Sequence, residues 1–322
     1  MGNKSNIKGR AYEYACLDVL FKEIEKIRPV KIEKNNNYFF AKEAYAKLNN
    51  LEKSLYKTSA YAGIMAIFDF EPFILEDGDD VLELKIQADS RGEVKDVRDI
   101  LIIRKGINWE VGLSIKHNHF AVKHSRLSKK FDFAQKWFGV KSSKQYQDEI
   151  GLVFNFLEKE KTKKSLWKDI PKKDELVYAR ILLSFKNEIM RQNENKKLQI
   201  PQKIVEYLLG QFDFYKIIAL DSKMITMVQC YNLRGTLNKK STNARSNTIT
   251  IPISQLPTRI ISFDFKEGSN NTLELYMDRG WQFSFRIHNA TSKVQPSLKF
   301  DIQMIGMPAT IFSIDCKWTI LK

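Results

Sequence analysis

Residues 97 to 116 constrain this chain most tightly. Two short runs rich in β-branched and large apolar residues, 97–103 and 109–116, flank a turn at Lys105-Gly106. Runs of this length around a glycine turn predict two antiparallel strands joined as a hairpin. Pairing them brings their outer ends together, Asp99 at the start of one and Ser114-Ile115-Lys116 at the end of the other. A further run, 81–86, followed by a turn at Asp89-Ser90-Arg91-Gly92, makes a three-strand meander.

Around this meander the pattern changes twice. In 9–28 the apolar residues Tyr12, Ala15, Cys16, Val19, Leu20, Ile24 and Ile27 fall at helical spacing until Pro29 stops them. Helices are also expected over 39–55, 58–68, 126–139, 142–161, 174–191 and 201–209. Past Gly210 the runs read as strands, at 215–220, 224–231, 248–253, 259–265, 273–277, 281–288, 298–304 and 310–318, with a basic loop over 238–247. The expectation is a mixed α/β fold: a catalytic core over 1–165, a helical connection over 166–210 and a β-rich region over 211–322.

The 53 Lys and Arg residues outweigh the 38 Asp and Glu by a formal +15. That balance favours a polyanionic partner, nucleic acid first. No run approaches the ~18 apolar residues of a membrane span, no secretory signal is visible, and a cytoplasmic location is the expectation. Cys16, Cys230 and Cys316 suggest neither a disulfide framework nor a zinc site. Charge is also distributed unevenly, with eight basic residues against one acid between Lys116 and Gln147, next to an acid-rich 69–110. A one-sided run of this kind, including Lys123, Arg126, Lys129 and Lys130, fits contacts along phosphates, although each lysine taken singly reads as a solvated charge.

Metal-assisted phosphodiester cleavage needs carboxylates to hold a cation and a positive group near the reacting phosphate. Asp99 and Lys116 supply one of each; read singly, they are a turn-capping acid and a strand-end charge. Glu110 lies six steps from Lys116, roughly 20 Å along a strand, and is a poor partner. The spacing and Ser114-x-Lys116 resemble the PD-(D/E)xK nuclease motif, with arginine before the first acid and serine in place of the second. The longer strings Lys95-Asp96-Val97-Arg98-Asp99-Ile100-Leu101, Gly112-Leu113-Ser114-Ile115-Lys116-His117-Asn118-His119 and Val122-Lys123-His124-Ser125-Arg126-Leu127-Ser128 closely resemble the HaeIII-type restriction endonucleases. The likeness spans the whole chain and is close enough for the family's namesake or a near relative.

The resemblance implies a Mg²⁺-dependent type II enzyme cutting duplex DNA at GGCC to blunt ends, alongside a methyltransferase that protects the same sites. A palindromic target invites a homodimer, and a monomer cutting one strand at a time is equally allowed. Serine binds Mg²⁺ far more weakly than a carboxylate, so another acid is needed. Glu13 resembles the first-helix glutamate that many PD-(D/E)xK enzymes direct at the metal; its other reading is a solvated helix charge. Asp96 is a weaker alternative.

His117, His119 and His124 leave three readings open: metal ligation as in an HNH nuclease, positioning of phosphate or water, or loop structure. The resemblance favours the second for His117 and Asn118. A non-catalytic DNA-binding regulator is the alternative from another class. In 281–288, Trp281, Phe283, Phe285 and Ile287 should face a core, leaving Gln282, Ser284, Arg286 and His288 outward. An ordinary half-exposed strand explains that alternation equally well. The string Phe283-Ser284-Phe285-Arg286-Ile287-His288-Asn289-Ala290, with Ser297-Leu298-Lys299-Phe300-Asp301, resembles one found near the C-termini of several restriction endonucleases. DNA contact by Arg286 and His288 is what that implies.

Overall fold

The chain is described here by a computed structural model covering residues 2–76, 78–88, 96–239 and 249–319. It divides into two units built from separated stretches, 1–120 with 210–255 and 309–322, and 121–209 with 256–308. In the first unit, α1 (Gly2–Ile24) buries Tyr12, Ala15, Cys16, Val19, Leu20 and Ile24 of the stripe expected from the spacing, whereas Ile27 falls beyond the helix end and is exposed. α2 (Asn36–Ala46) and α3 (Asn50–Phe70) follow. The break between them falls earlier than expected because Asn49 and Glu52 form a reciprocal capping box that starts α3.

Seven strands form one sheet: β1 (Val30–Glu33), β2 (Leu82–Ile86), β3 (Ile100–Arg104), β4 (Trp109–His117), β6 (Phe214–Leu220), β7 (Ile225–Tyr231) and β12 (Phe312–Lys317), in the order β1-β2-β3-β4-β6-β7-β12. The pairs β1–β2 and β4–β6 are parallel and the rest antiparallel. The expected β3–β4 hairpin is present, closed by Asn108 in the left-handed region at φ 48°. Val111, Leu113 and Ile115 of β4 share a core with Tyr215, Ile217 and Ala219 of β6 and the buried stripes of α1 and α3. Strand alternation therefore turns Gly112, Ser114, Lys116 and Lys216 to the other face. A parallel β4–β6 pair requires a crossover, and the 121–209 stretch of the second unit lies within it.

The second unit contains β5 (Ala121–Leu127), α4 (Phe133–Phe138), α5 (Lys144–Thr162), α6 (Arg180–Glu194), α7 (Ile200–Leu209), β8 (Ile260–Phe265), β9 (Thr272–Met277), β10 (Gln282–His288) and β11 (Leu298–Gly306). Its five strands pair antiparallel in the order β5-β11-β10-β9-β8. Phe185 of α6 lies 5.9 Å from Phe285 and 5.0 Å from Phe300, ring to ring, so one sheet face is sealed by aromatic packing.

Three expectations need correction. The helix expected over 126–139 does not begin at Arg126: Arg126 and Leu127 end β5, and α4 starts only after the Asp132 N-cap. The partner of β5 is β11, far along the chain, which local periodicity cannot reveal. Residues 249–253 form no strand. The strands of the C-terminal third are shared between both sheets, β6, β7 and β12 joining the first and β8 to β11 the second. The turn at 89–92 and most of the basic loop, 240–247, lie outside the described residues. All three cysteines are free thiols, and no described helix is long and apolar enough to cross a membrane.

Candidate active site

The hairpin places Asp99 one step beyond the last paired residue of β3, opposite Ser114. Its backbone is fixed on both sides: Asp99 N–H donates to the Leu113 carbonyl at 2.7 Å, and Gln87 N–H donates to the Asp99 carbonyl at 2.9 Å. Three donors converge on Asp99 Oδ2: the Ile115 amide at 2.6 Å, Lys116 Nζ at 3.0 Å and Ser114 Oγ at 3.3 Å. No hydrogen bond reaches Oδ1 from the described residues. Ser114 thus stands as a hydroxyl donor to the acid, and Lys116 as its counter-ion.

Glu13, midway along α1, is 9% exposed. Burial and the Asp99 charge push its carboxyl up to about 7, against the opposing pull of Arg10 and Lys116. Arg10 Nη1 donates to Glu13 Oε2 at 2.9 Å, one helical turn away. Glu13 is thus a buried acid whose ionisation feels the Asp99 charge. No group of three or more His, Cys, Asp or Glu among the described residues is placed to hold a metal ion. Two carboxylates, one with an oxygen free of donors, still suit Mg²⁺, a hard cation that keeps several waters.

Asp96 is engaged elsewhere. It chelates the Arg98 guanidinium through contacts of 2.9 Å from both Nε and Nη2, and Arg98 Nη1 reaches Glu110 Oε1 at 2.7 Å. Arginine before the first acid is therefore a buried hub that joins buried Asp96 to exposed Glu110. It crosses Gly112 so closely that a Cβ there would lie 2.0 Å from Arg98 Cδ.

Lys216 is the residue that sequence reasoning missed. It pairs with Ser114 across the parallel β4–β6 ladder, is 3% exposed, and donates from Nζ to the Phe120 carbonyl at 2.9 Å. Burial and the Lys116 charge push its ammonium down to about 7, with Asp99 opposing. The available signal was one lysine inside the otherwise apolar Phe214–Leu220 run.

His117 and Asn118 are engaged as loop anchors. His117 Nε2 lies 3.0 Å from Asp221 Oδ2, Tyr56 hydroxyl lies 3.4 Å from Nδ1, and burial lowers the imidazole pKa. Asn118, at φ 52°, donates to Asp221 Oδ2 at 2.9 Å and accepts from the Asp221 amide at 3.0 Å. His119 is half-buried, and the side chain of His124, on β5, lies outside the described residues.

In the second unit, Lys123 donates to the Tyr207 carbonyl at 2.9 Å and lies 4.0 Å above the Tyr207 ring. Lys129 donates to Asn155 Oδ1 at 2.9 Å, and with Lys130 it lines a cavity of about 310 Å³ that also includes Asp132, Tyr146 and Gln147. Arg126 is exposed and pairs across strands with Lys299. The alternation of β10 is as expected: Trp281, Phe283, Phe285 and Ile287 are fully buried, while Gln282, Ser284 and His288 are half-buried and Arg286 is exposed. Burial, together with Arg286 and Lys299, lowers the His288 pKa.

A family model described as HaeIII restriction endonuclease matches residues 9–308, which includes every one of these positions. The chain belongs to the HaeIII restriction endonuclease family. Within that family it is 53% identical over 318 residues to the type II restriction enzyme HaeIII of Haemophilus aegyptius, covering 99% of each chain. That identity makes it a relative of the namesake, with its own sequence, and a site-specific endonuclease. No solved structure matches it.

Proposed function

We propose that this restriction endonuclease is a Mg²⁺-dependent type II enzyme with a PD-(D/E)xK-like centre, which cuts duplex DNA at GGCC to leave blunt ends. The observation that carries the centre is the convergence of Ser114, Ile115 and Lys116 on Asp99, with the buried Glu13 carboxyl feeling the Asp99 charge. The target rests on the family resemblance.

Asp99 and Glu13 would hold the ion, which when bound polarises the phosphate and makes water a better nucleophile. Ser114 and the Ile115 amide fix the Asp99 carboxylate. Lys116, tied to the same oxygen, places positive charge where the phosphate becomes more negative in the transition state. Lys129, Lys130 and Arg126 would track phosphates; Gln282, Arg286 and His288 would meet base edges. Lys123, His117 and Asn118 act behind these residues, the first on Tyr207 and the other two on Asp221. A methyltransferase protecting the same sites is the partner such an activity requires, and a homodimer would match a palindromic target.

A plasmid digest tests this reading. Purified protein with Mg²⁺ should give discrete fragments ending in GG and CC, and none with EDTA. A nonspecific smear, or discrete fragments with other ends, would exclude the assigned target.

A further inference from the structure

The second sheet has one face sealed by aromatic packing and one polar face, and the polar face contains a pairing that stability alone explains poorly. Arg286 on β10 lies directly across from Asp301 on β11, and its Nη2 donates to Asp301 Oδ2 at 3.0 Å. The arginine side chain is 55% exposed and the aspartate side chain only 7%. Gln303 Nε2, two residues along β11, approaches the same Oδ2 at 3.4 Å. Partly exposed ion pairs contribute little to stability, while burying a carboxylate is costly. The expected benefit is geometric.

A free arginine samples many rotamers. A buried acid on the neighbouring strand selects those that hold the guanidinium over the sheet. The Asp301 contact uses one of the five N–H groups, leaving enough for the two parallel bonds that guanine O6 and N7 accept. Next to this pair, Lys299 lies across from His288 on one side and from exposed Arg126 on the other, a basic row suited to phosphates.

We propose that Asp301 is a positioning residue for base readout, which orients the Arg286 guanidinium toward a guanine while remaining out of contact with DNA itself. This rests on the reading of the sheet's polar face as a DNA-binding surface. Asp301 then controls discrimination between G·C and A·T at one position of each half-site, and is not required for sequence-independent binding.

The test compares kcat/KM on duplexes containing GGCC with duplexes in which one G·C pair is replaced by A·T. Asp301→Asn should lower that preference about ten-fold or more, the scale of one bidentate contact. Its nonspecific affinity should not fall, because Arg286 keeps its charge and the face loses a negative one. Arg286→Ala should lose the same preference, and adding Asp301→Asn to it should change nothing further. If Arg286→Ala discriminates poorly while folded Asp301→Asn discriminates like wild type, the positioning role is overturned and the DNA-binding reading stands. If Arg286→Ala also discriminates like wild type, both fall. Should Asp301→Asn fail to fold, Asp301→Glu, which keeps the charge but moves it by one methylene, reads the same ratio, and an unchanged preference there overturns the proposal.

Discussion

In the first sheet, Asp99 is held by three donors on one oxygen, and Lys116, 28% exposed, is bound to it. In the second, Arg286 has a single acidic partner among the described residues and is 55% exposed. The charges of the first sheet are fixed against one another and mostly withdrawn from water; those of the second are anchored at one point and left open. Phosphodiester cleavage depends on groups already in place, because reorganisation during the reaction forfeits their stabilising effect. Reading a base requires donors that a large ligand can reach.

The largest expected effect lies at the fixed centre. Asp99→Ala or Lys116→Ala should reduce Mg²⁺-dependent cleavage by about a thousand-fold or more while duplex binding in Ca²⁺ persists. Turnover near wild type in either variant removes the assignment. Next comes the arginine hub beside the centre. Gly112→Ala drives a methyl into Arg98 and should destabilise the protein by about 2–4 kcal/mol, read as a lower denaturation midpoint.

Glu13 gives a pH test with a definite sign. Its carboxyl is raised from 4.5 to about 7, so in metal-free protein its contribution to stability is fully present below pH 4.5 and is lost as pH rises through 7. The loss is on the order of 3 kcal/mol. In EDTA, Glu13→Gln should therefore have a higher Tm than wild type at pH 8 and a similar one at pH 4.5. Ca²⁺ should raise the wild-type Tm more at pH 8 than at pH 6, and do so little in the variant. Equal pH profiles for the two proteins would separate Glu13 from the acid pair.

The smallest effects belong to the open sheet. Arg126→Ala should weaken binding to all duplexes alike and reduce the salt slope by about one, leaving sequence preference intact. A change in preference would move Arg126 from phosphate contact to base readout, and would blur the distinction between the two rows of the polar face.

Much of this was legible locally. The β3–β4 hairpin, the Asp99–Ser114–Lys116 convergence and the in–out alternation of β10 follow from strand period and one turn, because neighbouring strands joined by a short turn have little freedom in how they pair. The α1 stripe was equally clear. Lys216 was not, because only the parallel pairing of β6 with β4 brings it opposite Ser114. The placement of Arg126 on a strand depended in the same way on a partner some 170 residues distant.

Short-range pattern and strings of specific residues were enough to give the family, the hairpin and the residue types gathered at its outer end. Tertiary structure decided that Asp96 and Glu110 serve Arg98, that His117 and Asn118 bind Asp221, and that Asp301 stands behind Arg286. Each of those pairings depends on charge and hydrogen bonding between side chains whose separation in space is set by non-local packing, a distance that chain spacing does not encode.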